Sequence, residues 1–348
     1  MSITKESFGR AGGREVGLYT ISRAGITLKV TDLGACIVNI FVPDRNGETA
    51  DVALGFDTAA GYADNSCFLG ALIGPSANRI GGGRFVIDGE AWQLPINENT
   101  NNLHTDFLNG SHKRIWDAEL LDDAVLLTLR LDDGEFGMPG NRVMEVAYTV
   151  TDSAAVQLSY RVYSDRRTLI NMTNHCYFNL AGENAGSVEG HVLQLFCDSY
   201  CPVKPDSIPT GEIAPVEGTP LDFRAPKAIG RDIGADFRQL KLVGGYDHNF
   251  VIDGWENDGT LRRAAAVHDP ASGRAMDVYT TLPGVQFYSG NFLKEESGKG
   301  GRSYAVREGF CLETQYFPDS MNHENFAHPV FGADTEYRSV TEYRFYTV

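Results

Sequence analysis

The chain has 348 residues, room for one large or two ordinary domains, and its 42% hydrophobic and 22% charged content allows a sizeable buried core rather than global disorder. Thirty basic residues against 46 acidic ones give a formal charge of -16 with no Lys/Arg cluster, which argues against a nucleic-acid partner and against an anionic membrane surface. The 38 glycines and 14 prolines fall short of a low-complexity composition and point instead to many tight turns.

Strand patterns run from end to end. Ile26, Leu28 and Val30 alternate with polar neighbours, and a short helical stretch follows around Thr58 to Tyr62. Val156, Leu158, Tyr160 and Val162 alternate in turn, and a second short helical pattern covers Ile229 to Leu240. The end of the chain puts Tyr337, Ser339, Thr341, Tyr343 and Phe345 on one face. Turn dipeptides separate the runs: Asn46-Gly47, Asp88-Gly89, Asn109-Gly110, Asp133-Gly134, Asp253-Gly254 and Asp258-Gly259. Closely spaced strands without intervening helices predict an all-β, antiparallel architecture. Linkers, like-charge runs and fixed-period repeats are lacking, so one extended domain over residues 1–348 is expected. The glycines of SGKGGR (297–302) lack the spacing and strand-to-helix context of a phosphate loop, and read as a flexible surface loop.

Ala35 to Val42, the longest apolar-leaning stretch, is broken by Asn39 and is too short to span a bilayer. The first residues, MSITKESFGRAGGREVG, have no apolar leader region, so a cytoplasmic location is expected. Of the six cysteines only Cys197 and Cys201 lie close together, and unpaired thiols are expected throughout. The glycosylation patterns at Asn109 and Asn171 then carry no meaning.

Three segments are too polar for the core pattern around them: Asn171 to Leu180 (NMTNHCYFNL), Gly244 to Phe250 (GGYDHNF) and Glu313 to Asn322 (ETQYFPDSMN). Burying so many amides without partners costs about 1–3 kcal/mol each, so they are expected to converge on one another or on a polar ligand. Metal-ligand spacings such as C-x-x-C are missing, as is a G-x-S-x-G nucleophile elbow, so neither a metal nor a cofactor is expected. An inventory of His, carboxylate, Asn, Gln and Arg suits a neutral polyhydroxylated ligand, because these groups fork across vicinal hydroxyls. A sugar is the natural expectation.

The segment Asn171 to Leu180 resembles the signature of the aldose 1-epimerases, N-x-T-N-H-x-Y-F-N-L, at every specified position. The resemblance continues in order through ANRI (77–80), NLH (102–104), KRIW (113–116), IPTGE (208–212), LDFR (221–224), YDHNF (246–250), YTTLPGVQFYSGNF (279–292) and ETQYFPDSMN (313–322). It implies a large antiparallel β-sandwich with a sugar in an open cleft, and interconversion of the anomers of free hexoses. Carried over by motif, it makes Glu313 the general base and His175 the general acid, and places His104, Asp247, Asn78, Arg79 and Gln286 on the sugar.

The chemistry suits those residue types. Anomer exchange removes the C1 hydroxyl proton while protonating the ring oxygen, and a carboxylate with a histidine suffices for both transfers. An ionised Glu313 beside a protonated His175 is the expected resting pair, each charge favouring the other. The partner is a small aldose, met by a monomer or homodimer. A hexose-phosphate mutarotase is the nearest alternative enzyme and needs a basic pocket. An inactive sugar-binding protein on the same scaffold is the other alternative, and it predicts loss of the acid or base. Two departures from the family pattern stand out. Thr105-Asp106 replace the usual Gly-Gly after His104, and Pro75 replaces the usual Arg after Gly74. Asp106 either raises the His104 pKa, if it lies within about 4–6 Å, or merely caps a turn.

Overall fold

The computed structural model describes residues 1–295 and 297–348. Its sheet ladders run antiparallel. Five strands, from Ser2–Ala11 to Thr49–Asp51, form a meander in chain order. A nine-stranded sheet runs from Asp117–Leu120 at one edge to Lys227–Ala228 at the other. Its centre holds the last strand, Tyr337–Thr347, between Ala155–Ser164 and Arg274–Thr280, so the end of the chain closes the sheet. The third sheet orders Ala214–Pro215, Ser199–Tyr200, Asp247–Val251, Gly284–Tyr288 and Cys311–Gln315.

Alternation explains the layering. Tyr337, Ser339, Thr341, Tyr343 and Phe345 are buried whereas Arg338 between them is exposed, and Val156, Leu158, Tyr160 and Val162 are buried likewise. One core cluster joins Ile21 and Leu28 of the meander, Val146 and Leu158 of the large sheet, and Phe250, Phe287 and Leu312 of the third sheet. Each such side chain contributes about 1.5–3 kcal/mol on full burial, so the common core rather than any one hairpin holds the layers together. Thr314 and Thr341 add a hydroxyl–hydroxyl bond of 2.6 Å between the third and large sheets. The expected β-sandwich is the fold observed.

Asp88-Gly89, with φ of 52° and 82°, closes a two-residue hairpin between Arg84–Ile87 and Glu90–Gln93. Asn109-Gly110 differs. Gly110 has φ -57°, and a Cβ there would lie 2.4 Å from the Asp106 carbonyl, so this glycine serves close approach rather than a hairpin. The first short helix forms over Ala59–Asp64, with Thr58 Oγ1 capping Gly61 N–H. The second is confined to Arg238–Val243, with a single 3-10 turn at Ile229–Arg231. Gly230 and Gly234 weaken a continuous helix, and the Asp232 carboxylate is occupied by Lys227 and Arg231. The 297–302 loop is pinned rather than free. Lys299 is buried, and its ammonium donates to Asp51 (2.6 Å), Val38 O (2.5 Å) and Ala53 O (2.7 Å). All six cysteines are unpaired, as expected. No helix among the described residues is long and apolar enough to cross a membrane.

Candidate active site

Directly opposed residues of an antiparallel ladder share a face. In the third sheet Asp247 opposes Tyr288 and Tyr288 opposes Cys311, while Asn249 opposes Gln286 and Gln286 opposes Glu313. One face therefore carries a polar row, and its reverse carries His248, Phe250, Val285, Phe287, Leu312 and Thr314. The reverse face packs into the core. The polar face floors a cleft of about 310 Å³ whose walls include Phe68, Arg79, His104, His175, Tyr177 and Phe292.

His175 arrives from the strand Thr173–His175, which pairs with Ala71–Ile73. Its Nε2 lies 3.7 Å from Glu313 Oε1, and its Nδ1 lies 3.6 Å from Cys311 Sγ. Rings surround it, with Tyr177 at 5.1 Å, His104 at 5.4 Å and Phe68 at 5.8 Å between centroids. Glu313 Oε2 is buried with no hydrogen-bond partner among the described residues. Such an orphan costs about 1–3 kcal/mol or more, and this one belongs to a residue that lines the cleft.

The resting charges differ from the expected ion pair. Burial pushes the Glu313 carboxyl well above its usual range, with the nearby Asp247 adding to the rise and Arg79 opposing it. Burial also pushes His175 down to about 4. Desolvation of both groups outweighs their mutual attraction, so each favours its neutral form.

Asn78 and His104 hold each other reciprocally. His104 N–H donates to Asn78 O at 3.0 Å, and Asn78 N–H donates to His104 Nδ1 at 3.1 Å. Both have left-handed backbones, φ 57° and 52°. With Nδ1 committed as an acceptor, the neutral ring carries its proton on the other nitrogen and offers a donor. Burial, then the fields of His175, Arg79 and His112, hold His104 well below its usual pKa. His104, His175 and Glu313 bring ligand atoms within 4.8 Å of one another, the spacing of a metal cluster. The His104 tautomer counts against that use, since a protonated nitrogen has no lone pair to give.

Arg79, next in the chain, binds Glu98 through Nε (2.6 Å) and Nη2 (2.8 Å). Burial lowers the Arg79 pKa, but the bonds to Glu98 and the fields of Asp247, Glu98 and Glu313 more than reverse this. Gln286 reaches the site through Asp247, donating to its Oδ1 at 2.7 Å. Burial raises the Asp247 pKa against Arg79 and Gln286, which lower it.

Of the 171–180 segment, His175 and Tyr177 line the cleft. The asparagines do not converge on a ligand. Asn171 brackets the Tyr316 backbone, Asn174 bonds Gly70 O, and Asn179 bonds Gly186 O and Glu308 O. They staple separate loops around the site. Glu98, Tyr288, Phe292 and Cys67 line the cleft without having been read from the sequence.

Asp106 caps a turn. Its Oδ1 accepts from Leu108 N–H (2.8 Å) and Asn109 N–H (2.9 Å), and its charge acts on His112, not among the charges acting on His104. Thr105 sits in the left-handed region at φ 68°, buried, where a β-branched residue costs about 1–3 kcal/mol. Its Oγ1 offsets this by accepting from Ser76 N–H (3.0 Å) and donating to Ser76 O (2.9 Å), beside the cis Gly74-Pro75 bond. Thr105 is thus clamped to the residue that follows Pro75. Thr105→Gly removes the strain together with two bonds and is expected to change stability by no more than about 1 kcal/mol. Thr105→Val loses the same two bonds but keeps the strain, and is expected to cost about 2 kcal/mol or more in urea titration. Equal losses for both variants would show that the left-handed backbone at Thr105 stores no strain.

The sequence pattern of the aldose 1-epimerase family matches residues 17–344. The chain is 38% identical to galactose mutarotase of Rattus norvegicus over 99% of each chain, and 39% identical to aldose 1-epimerase of Escherichia coli (strain K12) over 96% of each. Among solved structures, an aldose epimerase homologue from C. elegans aligns with TM-score 0.87 at 26% identity, covering 96% of this chain and 99% of that one. Galactose 1-epimerase from Lactobacillus acidophilus NCFM aligns with TM-score 0.85 at 26% identity over 99% of each chain. Matched along nearly its whole length in pattern, relatives and fold, this chain belongs to the aldose 1-epimerase family.

Proposed function

We propose that the protein is an isomerase that interconverts the α and β anomers of free aldoses such as galactose and glucose, by acid–base opening and reclosure of the sugar ring. The whole chain, 1–348, acts as one cytoplasmic unit in this reading. The observation that carries it is the buried, unpartnered Glu313 Oε2 in a cleft shared with His175.

Glu313 takes the C1 hydroxyl proton as His175 gives a proton to the ring oxygen, and the C1–O5 bond breaks to leave an open-chain aldehyde. Rotation about C1–C2 exposes the other carbonyl face, and the same two groups reverse the step. The pair needs one proton in total. Held on Glu313 it gives two neutral groups; moved to His175, 3.7 Å away, it gives the reactive ion pair. Bound sugar favours the charged arrangement, because its C1 hydroxyl donates to the carboxylate and its ring oxygen accepts from the imidazolium. His104 supplies a fixed donor, and Asn78, Arg79 and Asp247, the last held by Gln286, orient the remaining hydroxyls.

Polarimetry of freshly dissolved α-D-galactose and α-D-glucose tests this directly. The expected result is a protein-dependent acceleration for one or both sugars that persists in excess EDTA without added cofactor. No acceleration for either would sink the reading, and loss in EDTA with recovery on adding a metal would replace its mechanism.

A further inference from the structure

The charges of the cleft are unbalanced in an informative way. Among the described residues lining it, Arg79 is the one lysine or arginine, and it faces three carboxylates: Glu98, Asp247 and Glu313. Asp247 is held by Gln286, and Glu313, among the described residues, by no side chain other than the 3.7 Å approach of His175. Glu98 is the carboxylate bound to the guanidinium itself, by two parallel bonds of 2.6 and 2.8 Å. Both partners are largely shielded, with side chains 13% and 24% exposed, so water screens the pair weakly.

A guanidinium fork grips an anion best through a bidentate edge, and Glu98 already fills the Nε–Nη2 edge of Arg79. Both Nη1 hydrogens and the second Nη2 hydrogen lie outside that fork and are left to donate to neutral hydroxyls. A substrate carrying its own carboxylate or phosphate would meet a cation already neutralised and further carboxylates around it, and like-charge contact of this kind is strongly unfavourable.

Resting on the mutarotase reading, we infer that Glu98 is a specificity-determining residue that closes the cleft to anionic aldoses by neutralising the one guanidinium that would hold their charge. A uronic acid and an aldose 6-phosphate share the relevant chemistry, an anionic group at C6, and differ in charge and size.

The test compares kcat/KM for D-glucose, D-glucuronate and D-glucose 6-phosphate by polarimetry, for the parent enzyme and Glu98→Gln. The parent is expected to favour glucose over both anions. Glu98→Gln is expected to raise the anion-to-glucose ratio at least about tenfold, with the gain shrinking as salt is added. A gain confined to glucuronate marks a carboxylate-sized edge, and one shared with the phosphate marks a general charge effect; either supports the inference. A parent enzyme that turns over glucuronate as well as glucose overturns it, as does an unchanged ratio in Glu98→Gln. Where the variant turns over too slowly for a ratio, calorimetric Kd values for glucose and glucuronate give the same comparison. Failure of the parent on every sugar is a different outcome, since it defeats the mutarotase reading itself.

Discussion

Replacing Glu313 by Gln is expected to lower kcat for mutarotation by at least about 100-fold while changing KM much less. The amide keeps the shape of the carboxylate but cannot take a proton, and the orphaned Oε2 is the atom that loses its function. His175→Asn is expected to fall by a similar factor, because the amide can donate a hydrogen bond to a ring oxygen but cannot release the proton. The double variant should be little worse than either single one, since the two proton transfers belong to one step and the groups act as a unit. Asp247→Asn is expected to act mainly on KM. A Glu313→Gln enzyme with near-parental kcat would remove that residue from the role of base. Additive losses in the double variant would show that the two groups do not share a step.

Much of this site was legible in the sequence, and the exceptions have physical causes. Glu313, His175 and Asp247 stood out because polar residues interrupt an apolar pattern, Arg79 came from the family motif ANRI, and all four line the cleft. Period-2 parity alone would also have found Tyr288 two residues beyond Gln286 and Cys311 two before Glu313, since each shares its neighbour's face. Glu98 had no comparable signal. It lies in an irregular polar loop, and only the folded chain brings it to Arg79. The asparagines of 171–180 misled because carbonyls from distant loops satisfy them, and those partners leave no trace in the local sequence. Thr105-Asp106 left open either an altered His104 or a turn cap; Asp106 is the cap, and the clamp of Thr105 on Ser76 is visible only once the left-handed backbone is known. The resting charge of Glu313 and His175 went astray for a related reason. Pairwise attraction can be read from residue types, whereas the cost of burial cannot.

Burial also predicts that the protein is acid-labile well above the pH at which carboxylates titrate. Five of the eight histidines are pushed down from their ordinary range: His175 and His191 to about 4, His112 and His248 to about 3, and His104 well below it. Burial is the leading cause in each. Three of them add a second, since a ring nitrogen accepts a backbone N–H: Asn78 onto His104, Leu180 onto His191 and Asp247 onto His248. Protonation forfeits that bond as well as desolvating a charge. Below a pH of about 6.5 the unfolded chain binds protons that these folded imidazoles refuse, so stability is full above that value and falls as pH drops towards the depressed values. Each histidine contributes a slope of up to about 1.4 kcal/mol per pH unit, set against a total stability of about 5–15 kcal/mol. Glu313 and Asp247, whose values are raised, act with the opposite sign and offset part of the loss. The net expectation is a fall in Tm of several degrees or more between pH 7 and pH 5, measured by calorimetry in buffers of matched ionic strength. In His191→Gln the amide oxygen can still accept from Leu180 N–H but does not titrate, so the fall should be shallower by up to one proton's slope. A Tm that holds steady down to pH 5, or a His191→Gln variant with the parental slope, would mean that these buried rings take up protons nearly as readily as free histidine.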